Sequence, residues 1–235
     1  MGYSLSWAAL KNGTLETICS ACNLRPTGER EKFPESKVVA ADISTGWHVV
    51  LYNRYEVDDQ VLAKLSTGGE VVSCFVEDHV MFSSASGWVH GKQVWRIFHD
   101  CEKGRYHLDV TGTPPAALAE IQNRLVEEQK AAGGEKADVD YIYEIPAELA
   151  KTLTSFRHDE DFQGADGDVY QALESTSTIA RLTSIFRGSK KSSVIVLLFF
   201  AILFSPVLFV ATLIAVPFIR TQRLVRKFRG KRIDA

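Results

Sequence analysis

Residues 70–110 read EVVSCFVEDHVMFSSASGWVHGKQVWRIFHDCEKGRYHLDV. This stretch divides into four runs that are apolar or that alternate between apolar and polar residues, at 70–77, 80–89, 92–99 and 105–110. The runs are separated by only two to five residues, and such short connections are typical of β-hairpins. The first run is apolar on both faces, as a central strand is. The stretch therefore predicts an antiparallel meander.

The rest of the first 165 residues adds strands and helices around this meander. Enrichment in β-branched and aromatic residues predicts further strands at 3–10, 37–43, 47–55 and 139–145. Helices are predicted at 14–23, after a cap at Asp58, after a cap at Thr113, and from Pro146 onward. Together these elements predict an α+β fold for residues 1–165: a mostly antiparallel β-sheet with packed helices, forming one soluble domain.

A long hydrophobic segment follows at residues 194–219. Its 26 residues carry no charge, and 19 of them are Leu, Ile, Val or Phe. These side chains favour bilayer insertion by roughly 6–11 kcal/mol. We therefore expect a membrane segment at 193–219, a juxtamembrane linker at 166–192 and a basic cytoplasmic tail at 220–235. Within the linker, 171–178 resembles a Ser/Thr-rich stalk, and 179–187 a short amphipathic helix.

The basic residues on both sides of this segment leave two topologies open. A single span would put one basic group on the side of the membrane that positive charges avoid. A bend at Ser205 and Pro206 would instead return the chain as a re-entrant helical hairpin, because proline breaks the helical hydrogen bonding. In either case we expect anionic lipid headgroups to contact the flanking cations Lys190, Lys191, Arg220, Arg223, Arg226, Lys227 and Arg229.

Charge and cysteine usage narrow the function classes. Residues 1–192 carry 20 basic and 28 acidic side chains, a net charge of −8, which argues against a nucleic-acid-binding domain. The first 20 residues lack the pattern of a secretory signal, so we expect the domain to face the cytoplasm at the inner membrane. Cys19 and Cys22 form a C-x-x-C pair, but they fall on the apolar stripe of the predicted helix. We therefore expect neither a metal nor a cofactor.

The best polar cluster lies in the last predicted hairpin. If residue 99 pairs with residue 105, then His99, Arg105, His107 and Asp109 share one face of two adjacent strands. Two imidazoles and a carboxylate are suited to acid–base chemistry, so His99, His107 and Asp109 are candidate catalytic residues. The alternative is an ordinary solvated sheet face.

Three stretches carry a resemblance to known sequences. Residues 98–100 (FHD), 139–146 (VDYIYEIP) and 156–160 (FRHDE) resemble a group of uncharacterised bacterial proteins over about residues 1–165. This resemblance implies a bacterial origin and a single compact domain, without implying an activity.

Three hypotheses of function follow. The first is a membrane-anchored binding or regulatory module that engages a protein partner, with an immunity-like protein as one specific version. The second is an enzyme that acts on a membrane-associated substrate through the predicted His/Asp face. The third is a membrane-shaping scaffold, in which the hydrophobic segment itself provides the function.

Overall fold

The computed structural model of the 235-residue chain describes residues 2–43, 46–160 and 167–177. Within those ranges, no helix combines the length and the apolar character that are needed to cross a membrane. The predicted membrane segment, the bend at Ser205 and Pro206, and the seven predicted lipid-contacting cations lie outside the described residues.

The described part of the chain is an α+β fold with one large antiparallel sheet and four helices. The strands are β1 (Ser4–Lys11), β2 (Leu24–Glu31), β3 (Val38–Ile43), β4 (Trp47–Asn53), β5 (Glu70–Glu77), β6 (Phe82–Val89), β7 (Lys92–Asp100), β8 (Asp109–Gly112) and β9 (Tyr170–Ser175). The helices are α1 (Leu15–Cys22), α2 (Asp59–Leu65), α3 (Ala117–Ala131) and α4 (Ile145–Thr154).

The nine strands form a single sheet in the order β2-β9-β3-β4-β1-β5-β6-β7-β8, and every neighbouring pair is antiparallel. The run β5-β6-β7-β8 is the predicted meander. β1 lies between β4 and β5 and joins the meander to the strands on the other side of the sheet. The prediction of a mostly antiparallel sheet with packed helices is therefore confirmed.

Helices pack on both faces of the sheet. On one face, α3 and α4 bury Leu125 and Leu149 against strand residues such as Trp7 and Ile97. On the opposite face, α1 and α2 pack against β1, β3, β4 and the first part of β5. We call these the α3/α4 face and the α1/α2 face. Successive strand residues point to opposite faces, so the run of apolar residues in β5 supplies both layers.

Two predicted strands are wrong in part or in whole. Only residues 109–110 of the run predicted at 105–110 are in β8, and 105–108 form a turn. Residues 139–145 form no strand, because their backbone N–H groups bond to side chains instead of to a neighbouring strand. Asp140 Oδ1 accepts from the N–H groups of Ile142 and Tyr143. Gln129 Oε1 accepts from the N–H of Tyr141. The polar contacts of this segment therefore override its β propensity.

Two strands at one edge of the sheet, β2 and β9, are not predicted from the sequence. β2 is an edge strand that is mostly exposed and contains Pro26, so it lacks an apolar pattern. β9 pairs with both β2 and β3, so the stalk prediction for 171–178 is wrong over the strand residues. The compact unit accordingly extends to Thr176 rather than ending at residue 165. Helix α3 begins at Ala117 without a side-chain cap, so the predicted cap at Thr113 is also wrong.

Candidate functional site

His99 lies on β7 and points into the α3/α4 face, where its side chain has no exposed surface. Its Nδ1 lies 2.8 Å from the carbonyl oxygen of His107. A carbonyl oxygen can only accept, so Nδ1 carries a proton and donates it. The Nε2 atom faces the carboxylate of Asp140 at 3.2 Å. The ring is therefore held between a backbone carbonyl and a buried carboxylate.

Asp140 is the centre of this buried cluster. Its Oδ2 lies 3.2 Å from His99 Nε2 and 3.2 Å from Arg105 Nη1, although neither Oδ2 nor Nε2 has the alignment of a hydrogen bond. Burial by itself raises the pKa of Asp140, but the His99 ring, the Tyr143 N–H and the Arg105 guanidinium together hold it below its ordinary value. The arrangement is thus a buried carboxylate between the His99 ring and the Arg105 guanidinium.

Ser83 lies directly across from His99 on β6, which places a serine, a histidine and an aspartate together. The Ser83 hydroxyl donates to the carbonyl oxygen of Tyr143 at 2.6 Å rather than to the imidazole. Ser83 and His99 have no exposed surface, and Asp140 is 3% exposed. Nδ1 of His99 faces the carbonyl of His107 and Nε2 faces Asp140, so neither ring nitrogen bonds to the serine hydroxyl as activation would require. The three residues therefore form a structural network rather than a catalytic triad.

The structure separates His107 and Asp109 from His99. Asp109 pairs with Phe98, so it points to the α1/α2 face, opposite to His99. His107 lies in the turn before β8, where its Nδ1 accepts from the N–H of Asp100 at 3.1 Å and its Nε2 lies 3.1 Å from Asp109 Oδ2. The predicted shared face of His99, His107 and Asp109 is therefore wrong, because the turn residues do not continue the pairing that the prediction assumed.

The segment 139–146 also holds the other two resemblance stretches in place. The hydroxyl of Tyr143 donates to Asp78 Oδ1 at 2.5 Å. Glu144 and Glu148 each lie 2.5 Å from a terminal nitrogen of Arg157, whose guanidinium is mostly buried. Residues 98–100, 139–146 and 156–160 thus meet over the end of the sheet. Tyr143, Glu144 and Arg157 are paired within the fold, which fits a role in positioning these loops, whereas His158 Nδ1 is buried without a hydrogen-bond partner among the described residues.

The cysteines and possible metal ligands add no site. Cys19 and Cys22 are partly buried along α1, and desolvation raises the pKa of both thiols. Cys74 is fully buried, and this burial raises its pKa to about 12. In the described ranges, no group of three or more His, Cys, Asp or Glu side chains is arranged to hold a metal ion.

Part of the α1/α2 face lies outside the apolar layer that α1 and α2 cover, and α2 meets it only at its edge, through Asp59 and Leu62. We call it the open sheet face. Its residues come from β5, β6 and β7 and are Ser73, Phe75, Phe82, Ser84, Ser86, Arg96 and Phe98. The three phenylalanines are partly exposed and form a row in which successive ring centres are 5.9 and 5.8 Å apart. This surface is not predicted from the sequence. The only local sign of it is that Phe82, Ser84 and Ser86 alternate with Ser83, Ala85 and Gly87 in β6.

A narrow cleft opens between this surface and residues 56–62, which lead into α2 and form its first turn. Its floor consists of Ser6, Ser73, Ser84 and Ser86, and its walls include Glu56, Asp59, Gln93 and Arg96. Arg96 Nη2 lies 3.6 Å from Glu56 Oε1, which is the only ion pair that the structure describes in the cleft. Burial raises the pKa of Glu56, Arg96 partly opposes this effect, and Asp59 adds to it. The cleft is thus a polar concavity at the open sheet face that carries two carboxylates, Glu56 and Asp59.

Comparison with known proteins identifies no relative: no protein family, curated protein or solved structure matches this chain. Its function must therefore be argued from its own residues.

Proposed function

We propose that this chain is a membrane-anchored binding or regulatory module that faces the cytoplasm and engages a protein partner at the inner membrane. The observation that carries the proposal is the separation of charge and hydrophobicity along the chain. Residues 1–176, which include the folded sheet, hold 16 basic and 28 acidic side chains, a net charge of −12. Residues 177–235 hold 11 basic side chains and one acidic side chain, a net charge of +10.

This separation suits a tethered domain. Each Lys or Arg near an anionic bilayer contributes about 1 kcal/mol of attraction, so the cations that flank residues 194–219 favour the membrane surface. The acidic unit is repelled by the same lipids and is kept in solution beside the membrane. An acidic domain held at high local concentration is suited to capturing a basic partner, because complementary charge increases the rate of encounter.

The enzyme hypothesis has less geometric support. It required His99, His107 and Asp109 on one accessible face, whereas His99 has no exposed surface and Asp109 points to the other side of the sheet. An immunity-like role, in which the partner is a membrane-acting toxin, remains a specific version of the binding proposal. A membrane-shaping role would depend on residues 194–219, which the structure does not describe.

The topology is tested by thiol labelling from each side of the membrane. Glu102 is exposed in the turn after β7, so E102C and, separately, G230C are introduced into a chain whose four natural cysteines are replaced. We expect E102C to be labelled only from the cytoplasm. Labelling of E102C only from the outside would contradict the proposal. The position of G230C decides between the hairpin, which labels on the same side, and the single span, which labels on the opposite side.

The partner is tested by photo-crosslinking in cells. A photoreactive residue at Gln93, beside the cleft, should give a discrete protein adduct that the same residue at Glu127 on α3 does not give. Adducts that are the same at both positions would indicate unspecific collisions with neighbouring proteins and would contradict a defined binding surface.

A further inference from the structure

The cleft on the open sheet face has polar groups that the fold itself does not use. Ser84 is 5% exposed, and its hydroxyl has no hydrogen-bond partner among the residues that the structure describes. Ser73 and Ser86 bond to each other at 2.8 Å, and Ser86 also accepts from Trp88 Nε1. Elsewhere on the α1/α2 face, the corresponding positions are apolar, for example Val71. The Ser84 hydroxyl is not among the buried side-chain atoms that lack a partner, so it reaches the space of the cleft and can bond to a group that enters it.

The groups around the cleft favour a cation. Glu56 and Asp59 each contribute a negative charge, and Arg96 contributes one positive charge, which leaves a net charge of −1. The serine hydroxyls of the floor have lone pairs that can accept hydrogen bonds. Phe75 adds an aromatic ring, whose face attracts cations. The raised pKa of Glu56 is consistent with a carboxylate that Arg96 only partly compensates.

The size of the cleft selects among cations. Between its walls there is room for about one water molecule. A lysine ammonium is a compact charge of similar size with three donors at the end of a slender chain. An arginine guanidinium is a planar fork that needs a wider space. The net charge of −12 on residues 1–176 favours a basic partner more generally.

We infer that this cleft receives the ammonium group of a lysine carried by a basic partner protein, with Glu56 and Asp59 as charge partners and Ser84 as a hydrogen-bond acceptor. The inference rests on the proposed function, because it names the chemistry by which the module recognises its partner. It assigns no covalent step, and binding alone is the activity.

The test uses the full chain in nanodiscs of phosphatidylcholine, a lipid without net charge that does not itself attract a cationic probe. The probes are fluorescein-labelled octalysine and octaarginine, and the readout is fluorescence anisotropy. We expect octalysine to bind more tightly than octaarginine. E56Q should weaken octalysine binding by about fivefold, which is the effect of losing one partly exposed charge-assisted contact. S84A, which leaves the net charge unchanged, should weaken it by about threefold.

The matched control is E127Q, which removes the same charge from an exposed position on α3. We expect it to change octalysine affinity by less than about 1.5-fold, because exposed charges at a distance are screened. Equal weakening by E56Q and E127Q would overturn the inference, since it would assign binding to the overall charge. Absence of saturable octalysine binding, or an equal response of both peptides to S84A, would also overturn it.

The experiments distinguish a failure of the lysine cleft from a failure of the membrane-anchored module. Tryptophan fluorescence confirms that each variant is folded, because the four tryptophans are buried within residues 1–176. Octalysine and octaarginine could bind equally well while the adduct at Gln93 and the cytoplasmic labelling of E102C are still observed. In that case the proposal of a membrane-anchored module is supported and the lysine cleft is refuted. If E102C is labelled only from the outside and the adducts at Gln93 and Glu127 are the same, the membrane-anchored module itself is wrong, whatever the octalysine affinities are.

Discussion

Replacing Asp140 with asparagine removes the negative charge between His99 and Arg105 and changes the side-chain volume very little. The side chain of Asp140 has no exposed surface, and its Oδ2 is 3.2 Å from both His99 Nε2 and Arg105 Nη1. Removing one partner of a buried ion pair costs about 3–5 kcal/mol. Arg105 is 25% exposed, so water compensates part of its loss. We therefore expect D140N to lower the free energy of unfolding by about 3 kcal/mol.

The assay is urea denaturation of the full chain in detergent, followed by tryptophan fluorescence. All four tryptophans are buried in the unit that ends at Thr176, so the signal reports that unit alone. The matched control is D138N, which removes the same charge from an exposed position two residues earlier. A loss below about 1 kcal/mol for D140N, comparable to the net value of one ordinary hydrogen bond, would refute the reasoning.

The same variant makes a prediction about pH. In the folded protein the pKa of Asp140 lies below its ordinary value of 3.8. A carboxyl group of this kind stabilises the fold above its unfolded pKa, and this contribution is lost as the pH falls through the folded pKa. The stability difference between the natural protein and D140N should therefore be complete at about pH 6 and should shrink below about pH 4. A difference that persists unchanged in acid would assign the effect to packing instead of charge.

Three further substitutions or reactions test other parts of the fold by urea denaturation or thiol titration. Leu149→Ala removes a fully buried side chain of α4 and should cost about 2–5 kcal/mol, whereas a cost below about 1 kcal/mol would contradict its place in the core. Gly87→Ala would place a Cβ 2.0 Å from Trp95 Nε1, so we expect overpacking to cost about 1–3 kcal/mol, and an unchanged midpoint would contradict the close approach. Cys74, buried and with a pKa of about 12, should react with a thiol reagent at pH 8 only as fast as the fold opens. Reaction of Cys74 as fast as that of the partly exposed Cys101 would contradict its burial.

The sequence predicts most of the central sheet because local patterns suffice there. Predicted strands coincide with β5, β6 and β7 to within about two residues, since apolar runs and short connections are local signals. β9 could not be placed in this way, because its partners β2 and β3 lie more than a hundred residues earlier in the chain. Its apolar residues are few, and the Ser/Thr-rich sequence that follows resembles a linker.

The candidate site illustrates the same limit. His99 is conspicuous in the sequence, but the residue that faces it, Asp140, lies 41 positions later in a run that resembles a strand. The pairing depends on the turn that Asp140 forms by accepting two backbone N–H groups, and no periodicity indicates such a turn. Ser84 is missed for the opposite reason: a serine in a strand is ordinary, and only the fold reveals that it lines the cleft without a hydrogen-bond partner among the described residues.

The Asp140 cluster and the cleft therefore differ in how far the fold already satisfies their polar groups. Around Asp140, charges are buried and face one another, so the fold holds them in place and a partner cannot reach them without unfolding the loops. In the cleft, Glu56 is half exposed with Arg96 at 3.6 Å, and Ser84 has no hydrogen-bond partner among the described residues, so hydrogen-bonding capacity remains available. Free energy of binding can come only from groups that the folded state leaves uncompensated. For this reason the cleft is the stronger candidate for recognition, even though the cluster at His99 contains the residue types that are more familiar from active sites.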